Sequence, residues 1–183
     1  MIVGKKIELA KVERQSIEQL REWRNNPELR KYFREHREIN KENQRKWYED
    51  VVLNSSTSYN FEIKTQEDST NKTKLIGHCG LHYINWVSKT GEFGIYIGDI
   101  NYRKGGFGSD ALRTLIRYGF EQLNLNRIWC EAYSNNEAIE IYRHIGFKDE
   151  GVLRQTVFKN GEYLDSYVLG MLKSDYDKLK ELE

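Results

Sequence analysis

Between positions 102 and 109 the chain reads Tyr102-Arg103-Lys104-Gly105-Gly106-Phe107-Gly108-Ser109, with three glycines in four positions. Glycine loses more backbone freedom on folding than any other residue, so such a run marks a turn that side chains would forbid. What flanks it fixes the fold class. Ahead of it, Gly91 to Gly98 reads as a strand; behind it, Leu112, Leu115, Ile116 and Phe120 recur on one side of a helix from about Ser109 to Leu123. Arg127 to Tyr133 is again a strand. The chain therefore makes a strand, helix, strand unit, and the fold class is α/β.

The remaining elements fall in order around that unit. The N-terminal MIVGKKIEL alternates like a strand. Ser16 with Gln19 three residues on has the form of a capping box, and Ile17, Leu20 and Trp23 follow at helical spacing. Asn26-Pro27 is an N-cap and first-turn pair for a second helix, and a third begins near Asn40, with Trp47, Val51 and Tyr48, Val52 on helical faces. From Tyr59 the period becomes two: Tyr59, Phe61 and Ile63 alternate with polar residues. Thr65 to Thr73 reads as a hairpin loop, and Leu75 to Ile84 and Gly91 to Gly98 complete a three-stranded antiparallel meander. Asn135 to His144 is a further helix ended by Gly146, and a last hairpin turns at Asn160-Gly161. There is no repeat and no low-complexity tract, and 183 residues suit one domain, so residues 1–183 are expected to form a single unit.

A formal charge of +1, from 29 basic and 28 acidic residues, gives no global field to draw the chain onto nucleic acid or a membrane. No apolar run reaches the length of a membrane span and no signal-peptide core is present. Two cysteines, Cys79 and Cys130, are too few for a disulfide framework. The expected location is the cytoplasm.

The glycine turn lets several backbone N–H groups point inward at the N-terminus of a helix, where the dipole adds positive potential, so it suits a pyrophosphate. Arg103 and Lys104 add charge nearby. A plain strand-to-helix loop would show the same glycines. Gly106, Gly108 and Ala111 also satisfy the dinucleotide fingerprint G-x-G-x-x-A, with Glu131 downstream to hold a ribose. Against a Rossmann-type oxidoreductase, the glycines lie several residues beyond the strand, and too few elements follow to complete a doubly wound sheet.

Arg103, Gly106 and Gly108 fit R/Q-x-x-G-x-G/A, and one helix and one strand later Asn135, Ala138, Tyr142, Gly146 and Phe147 fit N-x-x-A-x-x-x-Y followed by G-F. Together and in this order the two motifs resemble the GNAT acetyltransferases, over roughly Ile7 to Leu172. The Trp23-Arg24-Asn25 and Trp47 region, Glu150-Gly151-Val152-Leu153 and the last hairpin are most similar to the ribosomal-protein N-acetyltransferase branch, which includes spermidine and nucleotide-amino-sugar acetyltransferases. The family often has Gly-Lys where this chain has Lys104-Gly105; the glycines needed for close backbone approach remain. The resemblance implies a mixed, strongly twisted central sheet of about seven strands flanked by helices, and an acyltransferase that uses acetyl-CoA as cosubstrate and no metal. It places the diphosphate on Arg103, Lys104, Gly105, Gly106, Phe107, Gly108 and Ser109. The pantetheine arm would lie along Ile95, Tyr96 and Ile97, where two strands splay, with Asn135 and Tyr142 on the far side. Dimers are common in the superfamily, so a homodimer is one assembly the resemblance allows.

The chemistry asks for a base and an acid. An alkylammonium of pKa about 10.4 costs ~4 to 5 kcal/mol to deprotonate at pH 7. Glu92 matches the position where many relatives carry a glutamate acting as base, directly or through water; an ordinary solvent-facing carboxylate would look the same. The Ile95 N–H could stabilise the oxyanion. Tyr142 matches the tyrosine thought to protonate the departing thiolate, or else is a helix tyrosine packed on the sheet. Asn135 could hold the cofactor arm, cap its helix, or do both.

Cys79 and His78 are adjacent on a strand and should face opposite ways, and His78 and His82 would lie ~13 Å apart along an extended strand, too far for one metal ion. Cys130 reads as a core residue. Residues 21 to 37 hold six basic side chains, Arg21, Arg24, Arg30, Lys31, Arg34 and Arg37, against three acidic ones. On the acceptor side, that excess would suit an amine bearing phosphate, unless it is a solvated helix face. Glu38, Glu42, Glu49 and Asp50 could instead receive a polyamine, and a protein N-terminus would need an open groove. An idle CoA-binding module is a further alternative.

Overall fold

In the computed structural model, residues 1–66 and 72–182 are described. Eight strands form one sheet: β1 (Ile2–Val3), β2 (Ile7–Lys11), β3 (Tyr59–Thr65), β4 (Leu75–Asn85), β5 (Thr90–Ile97), β6 (Arg127–Tyr133), β7 (Lys148–Lys159) and β8 (Glu162–Leu172). Their spatial order is β1-β2-β3-β4-β5-β6-β8-β7. All neighbours are antiparallel except β5 and β6, which the helix α4 (Phe107–Glu121) joins by a crossover. One parallel pairing is no doubly wound sheet, and the Rossmann reading falls here. The N-terminal alternation is two strands rather than one, because the chain reverses at Gly4, whose N–H donates to the Ile7 carbonyl at 2.8 Å.

The helices before β3 are α1 (Ile17–Asn25), α2 (Pro27–Arg30) and α3 (Lys41–Trp47), the last running into a π-helical turn at Tyr48–Leu53. Asn26 caps as expected, accepting from the Glu28 N–H, and α3 begins after Asn40, whose side chain accepts from the Asn43 N–H. The Ser16 capping box does not form. A short 3₁₀ turn at Arg14–Ser16 already leads into α1, Ser16 is itself helical, and its side chain caps nothing. Helix α5 (Ala138–Ile145) starts later than the sequence suggests, and Asn136, not Asn135, accepts from the Ala138 N–H at 3.0 Å. Gly146 ends it at φ 117°, and Asn160 and Gly161, at φ 50° and 89°, make the tight hairpin turn between β7 and β8. A last helix, α6 (Lys173–Lys180), had no counterpart in the sequence reading. The loop expected at Thr65 to Thr73 falls largely on 67–71, outside the described residues.

Period-two alternation divides the sheet into two unlike faces. Ile63, Cys79, Leu81 and Phe93 lie on one, packed with Leu112, Leu115, Ile116 and Phe120 of α4 and Ile139, Tyr142 and Ile145 of α5 into the main core. Cys130 is buried in the same core. The opposite face carries Asn60, Glu62, His78 and Glu92, all buried although polar. They are buried because α1 to α3 lie over them, anchored by a second small core of Val12, Ile17, Leu20 and Tyr48. A covered polar face differs from the solvated one an antiparallel sheet commonly leaves, and it is where a site can form. No helix among the described residues is long and apolar enough to cross a membrane.

Candidate active site

Strands β5 and β6 pair over only three positions, Thr90↔Arg127, Gly91↔Ile128 and Glu92↔Trp129, and then diverge. Their free edges can be assigned from the ladders on either side. Gly98 donates to the Ile76 carbonyl at 2.8 Å, which makes Ile76 and Gly98 a hydrogen-bonded pair in the register Gly77↔Ile97, Cys79↔Ile95, Leu81↔Phe93. Hydrogen-bonded and non-bonded pairs alternate in an antiparallel ladder. Phe93, Ile95 and Ile97 therefore turn their N–H and C=O away from β4; the Phe93 N–H is taken by the last β5–β6 pairing, at Glu92↔Trp129, and those of Ile95 and Ile97 face the opening. Tyr96 does not: its backbone pairs with His78, and its side chain crosses to the polar face. Of the three residues expected along the cofactor arm, Ile95 and Ile97 face the opening with their backbone and Tyr96 faces β4.

At the end of β5 the glycine loop opens into α4. Gly106 is the residue before the helix and sits at φ 78°, a conformation costly for any residue with a Cβ. The first helical N–H groups have no intrahelical acceptor, and among the described residues Lys104, Gly105 and Gly106 donate no backbone hydrogen bond. Arg103 is not free to meet a ligand as an open charge, since its guanidinium is folded back on the carbonyls of Ile97 (3.2 Å) and Gly98 (3.3 Å). The loop is held from a direction the sequence did not suggest. Asp110, in the first turn of α4, accepts from the N–H groups of Lys5 (3.0 Å), Lys6 (2.6 Å) and Ile7 (3.2 Å). Lys6 Nζ donates to the Gly105 carbonyl at 2.8 Å, which brings a cation beside the cradle. This set fits a diphosphate: bent backbone, unpaired amides, helix N-terminus and a nearby cation.

A cavity of about 590 Å³ lies under α1 to α3, against the polar face, and reaches the opening through Glu92, Gly94, Ile95 and Tyr142. Tyr142 packs edge-on against Phe93 with ring centroids 5.1 Å apart. Burial first, and then Cys130 nearby, pushes its phenol above the ordinary tyrosine range, so the proton stays on. Asn135 is exposed in the turn ahead of α5, and the neighbouring Asn136, not Asn135, takes the Ala138 N–H with its side chain.

Glu92 is not a solvent-facing strand carboxylate. It is 7% exposed and receives a bidentate ion pair from Arg34, Nη1 to Oε2 at 3.1 Å and Nη2 to Oε1 at 2.6 Å. The same Nη2 reaches Glu131 Oε2 at 3.2 Å, so Glu131 serves the cavity and no ribose. The basic excess of residues 21 to 37 is largely consumed in this way. Arg21 pairs with Glu18, Lys31 with Glu28, Arg37 with Glu35 and Arg30 with Glu38. Arg24 alone of the six has no carboxylate partner among the described residues; it lies over Phe33, 5.5 Å from the ring, and lines the cavity. His82, cross-strand from Glu92, has its imidazole over Gly80 and Gly94, where side chains would collide with it or touch it. Burial, then Arg24 and Arg34, lowers its pKa to about 4, so it is neutral. The sequence pointed to Glu92 and Tyr142 and placed Arg34 only in a basic patch and His82 only beside His78, and it missed Lys6 and Asp110, whose partners are 99 to 105 residues away. Trp23, flagged as family-like, has its indole over Gly98, where any Cβ would fall 1.9 Å from the ring.

A family profile described as "Acetyltransferase (GNAT) domain" matches residues 6–148. The chain belongs to the GNAT acetyltransferase family. Among curated relatives, the uncharacterized N-acetyltransferase p20 of Bacillus licheniformis is 36% identical over 104 residues, 56% of this chain and 58% of that protein. The putative ribosomal N-acetyltransferase YdaF of Bacillus subtilis is 33% identical over 104 residues, 56% of each chain. The spermidine N(1)-acetyltransferase of Vibrio cholerae is 35% identical over 103 residues, 56% of this chain and 59% of that one. The matched stretch thus spans less than three-fifths of each of these relatives. In structure, the spermidine N-acetyltransferase of Vibrio cholerae in complex with CoA and spermine superposes with a TM-score of 0.84 at 26% identity, covering 94% of this chain and 99% of that one. The eight-stranded mixed sheet flanked by helices is the fold that such enzymes have.

Proposed function

We propose that this chain is an acetyl-CoA-dependent N-acetyltransferase in which a primary amine attacks directly, without an enzyme nucleophile. The observation that carries this reading is the opening between β5 and β6. Its lining amides at Ile95 and Ile97 run from the glycine loop at one end to the buried cavity at the other. A molecule with a diphosphate, an extended amide-bearing arm and a reactive tip fits those three places in that order, and the family's solved relatives bind CoA. When bound, acetyl-CoA supplies an acyl thioester open to a neutral amine and a thiol as leaving group.

The chain's own groups would then act as follows. The amides of the 103–109 loop and Lys6 hold the diphosphate, and the Ile95 and Ile97 backbone pairs with the arm. The Ile95 N–H, directed into the opening, polarises the acyl oxygen. Glu92 meets the incoming ammonium in the cavity wall. Arg34 occupies one side of its carboxylate, but each oxygen keeps a lone pair for a further hydrogen bond. The proton passes onward through water to solvent. Tyr142 remains a phenol and donates to the departing sulfur. The cover of α1 to α3 keeps bulk water from the thioester.

The test is thiol release from acetyl-CoA with polyamines, amino sugars, nucleotide-linked amino sugars and N-terminal peptides. Release with at least one class, lost in Tyr142→Phe, is expected. CoA binding without thiol release from any amine would instead make this an idle CoA-binding module.

A further inference from the structure

The deep wall of the cavity holds polar atoms that nothing in the protein satisfies. Asn60 Nδ2, Asn60 Oδ1 and His78 Nε2 are buried without a hydrogen-bond partner among the described residues. Asn60 is 9% exposed and His78 8% exposed, and both line the cavity. They are near neighbours on one face: in the β3–β4 register Asn60 is opposite Gly80 and Glu62 opposite His78, so their side chains lie diagonally across the ladder on the same side. Gln44 comes down from α3 to the same wall, 2% exposed. The imidazole is fixed between Trp47 and Tyr96, with centroids 5.6 and 5.7 Å away.

A buried polar group without a partner is destabilising, so three such atoms on one wall are a feature that packing alone does not explain. We propose that Asn60 and His78 form an acceptor subsite for an uncharged group that both donates and accepts hydrogen bonds, and that the acceptor is a hydroxylated amine rather than a polyamine. This rests on the acetyltransferase reading above.

The chemistry selects the class. The Asn60 amide offers a donor and an acceptor, and a neutral imidazole offers one of either at Nε2 according to tautomer. Burial, followed by His82 and Arg24, lowers the His78 pKa to about 3, which keeps the ring uncharged. A hydroxyl complements this set, because it gives one hydrogen bond and takes others. An ammonium only donates, and here it would meet Arg24, a cation on the same cavity without a carboxylate partner among the described residues. The cavity's carboxylates are left to meet the amine of the acceptor: Glu92 and Glu131 share the single charge of Arg34, Glu35 pairs with Arg37, and exposed Asp50 is without an ion pair among the described residues that line the cavity.

The experiment is calorimetry on the full CoA-saturated protein with three probes: glucosamine, cyclohexylamine, which keeps the ring and the amine but has no hydroxyls, and spermidine. Glucosamine is expected to bind at least tenfold more tightly than either of the others, and Asn60→Leu and His78→Phe to bring its affinity to within about twofold of cyclohexylamine. Melting temperature is read on both variants without amine. It should hold or rise, because an unsatisfied polar group is replaced by an apolar one. A fall of several degrees with glucosamine selectivity intact would show a structural pair and overturn the proposal. Spermidine or cyclohexylamine binding as tightly as glucosamine, or glucosamine not binding, would also overturn it. Thiol release from acetyl-CoA, scored in parallel, reports on the chemistry separately: glucosamine bound selectively without thiol release would sink the catalytic reading and leave the subsite standing.

Discussion

Gly106 is the position at which the proposed diphosphate cradle can be attacked with the least ambiguity. It has φ 78°, is exposed, and a Cβ built there meets only Lys6 Nζ, at 3.8 Å. Gly106→Ala should therefore carry a conformational cost of ~1–2 kcal/mol for the left-handed backbone, part of it offset by ~0.4–1 kcal/mol from a stiffer unfolded chain. Gly106→Glu has that same cost and adds a negative charge at the helix N-terminus. At about 5 Å from one phosphate charge, with an effective dielectric of ~20, the repulsion is ~3 kcal/mol. Solvent and the Lys6 ammonium, which the new carboxylate could engage, reduce it. CoA should bind the Glu variant about tenfold to a hundredfold more weakly than the Ala variant by calorimetry, while the two melt within a few degrees of each other. The gap should widen at ~0.01 M salt and shrink toward ~1 M, as the screening length falls from ~30 to ~3 Å. Pantetheine, which has no diphosphate, should bind both variants alike. Equal CoA affinity in the two variants, or an equal loss for pantetheine, would refute a diphosphate bound on this loop.

Tyr142→Phe should lower kcat by roughly 10²- to 10⁴-fold, the span of a general acid, with CoA affinity within about twofold and little change in melting, because the ring contact with Phe93 is retained; unchanged kcat would remove the acid role. Gly77→Ala should destabilise the protein by ~1–3 kcal/mol, since the new Cβ would lie 2.3 Å from the Tyr96 carbonyl oxygen and force β4 from β5 where the opening begins; a wild-type melting temperature would contradict the close approach. His78 and His82 are held neutral by burial, with pKa values of about 3 and about 4 against 6.5 when unfolded. The unfolded chain then binds more protons between those values, so stability should be complete above pH ~6.5 and decline as pH falls toward 3; urea melts at pH 7, 5.5 and 4.5 check this, and a flat profile would refute it. Asp110→Asn keeps the size but removes the charge that takes three N–H groups from Lys5 to Ile7, and should cost ~1–3 kcal/mol and weaken CoA binding; an unchanged urea midpoint would show that the anchor is dispensable.

What the linear chain determined was local. The 3.6 and 2.0 periods placed α4, β6 and the meander, the asparagines at 26 and 40 set helix starts, and the glycines of 105–108 marked a turn with its amides turned inward. The elements and the position of the turn are decided by a residue and its near neighbours, so they can be read without knowing what packs against what; what the loop's amides meet is not of that kind. Tertiary structure decided the rest. Whether Asn135 or Asn136 accepts the first N–H of α5 depended on how the turn leaves β6, and the Ser16 box gave way to a 3₁₀ turn that already leads into α1. That β5 and β6 part after Glu92, and that Ile95 rather than Tyr96 faces the gap, follows from ladders with β4 and β8 that the strands' own residues do not encode. The Arg34–Glu92 pair spans 58 residues, and Asn60 and His78 meet across two strands. A carboxylate becomes a candidate base, and an amide a candidate reader of hydroxyls, only when distant segments exclude water around them, and burial of that kind is a property of the assembled fold rather than of any window of sequence.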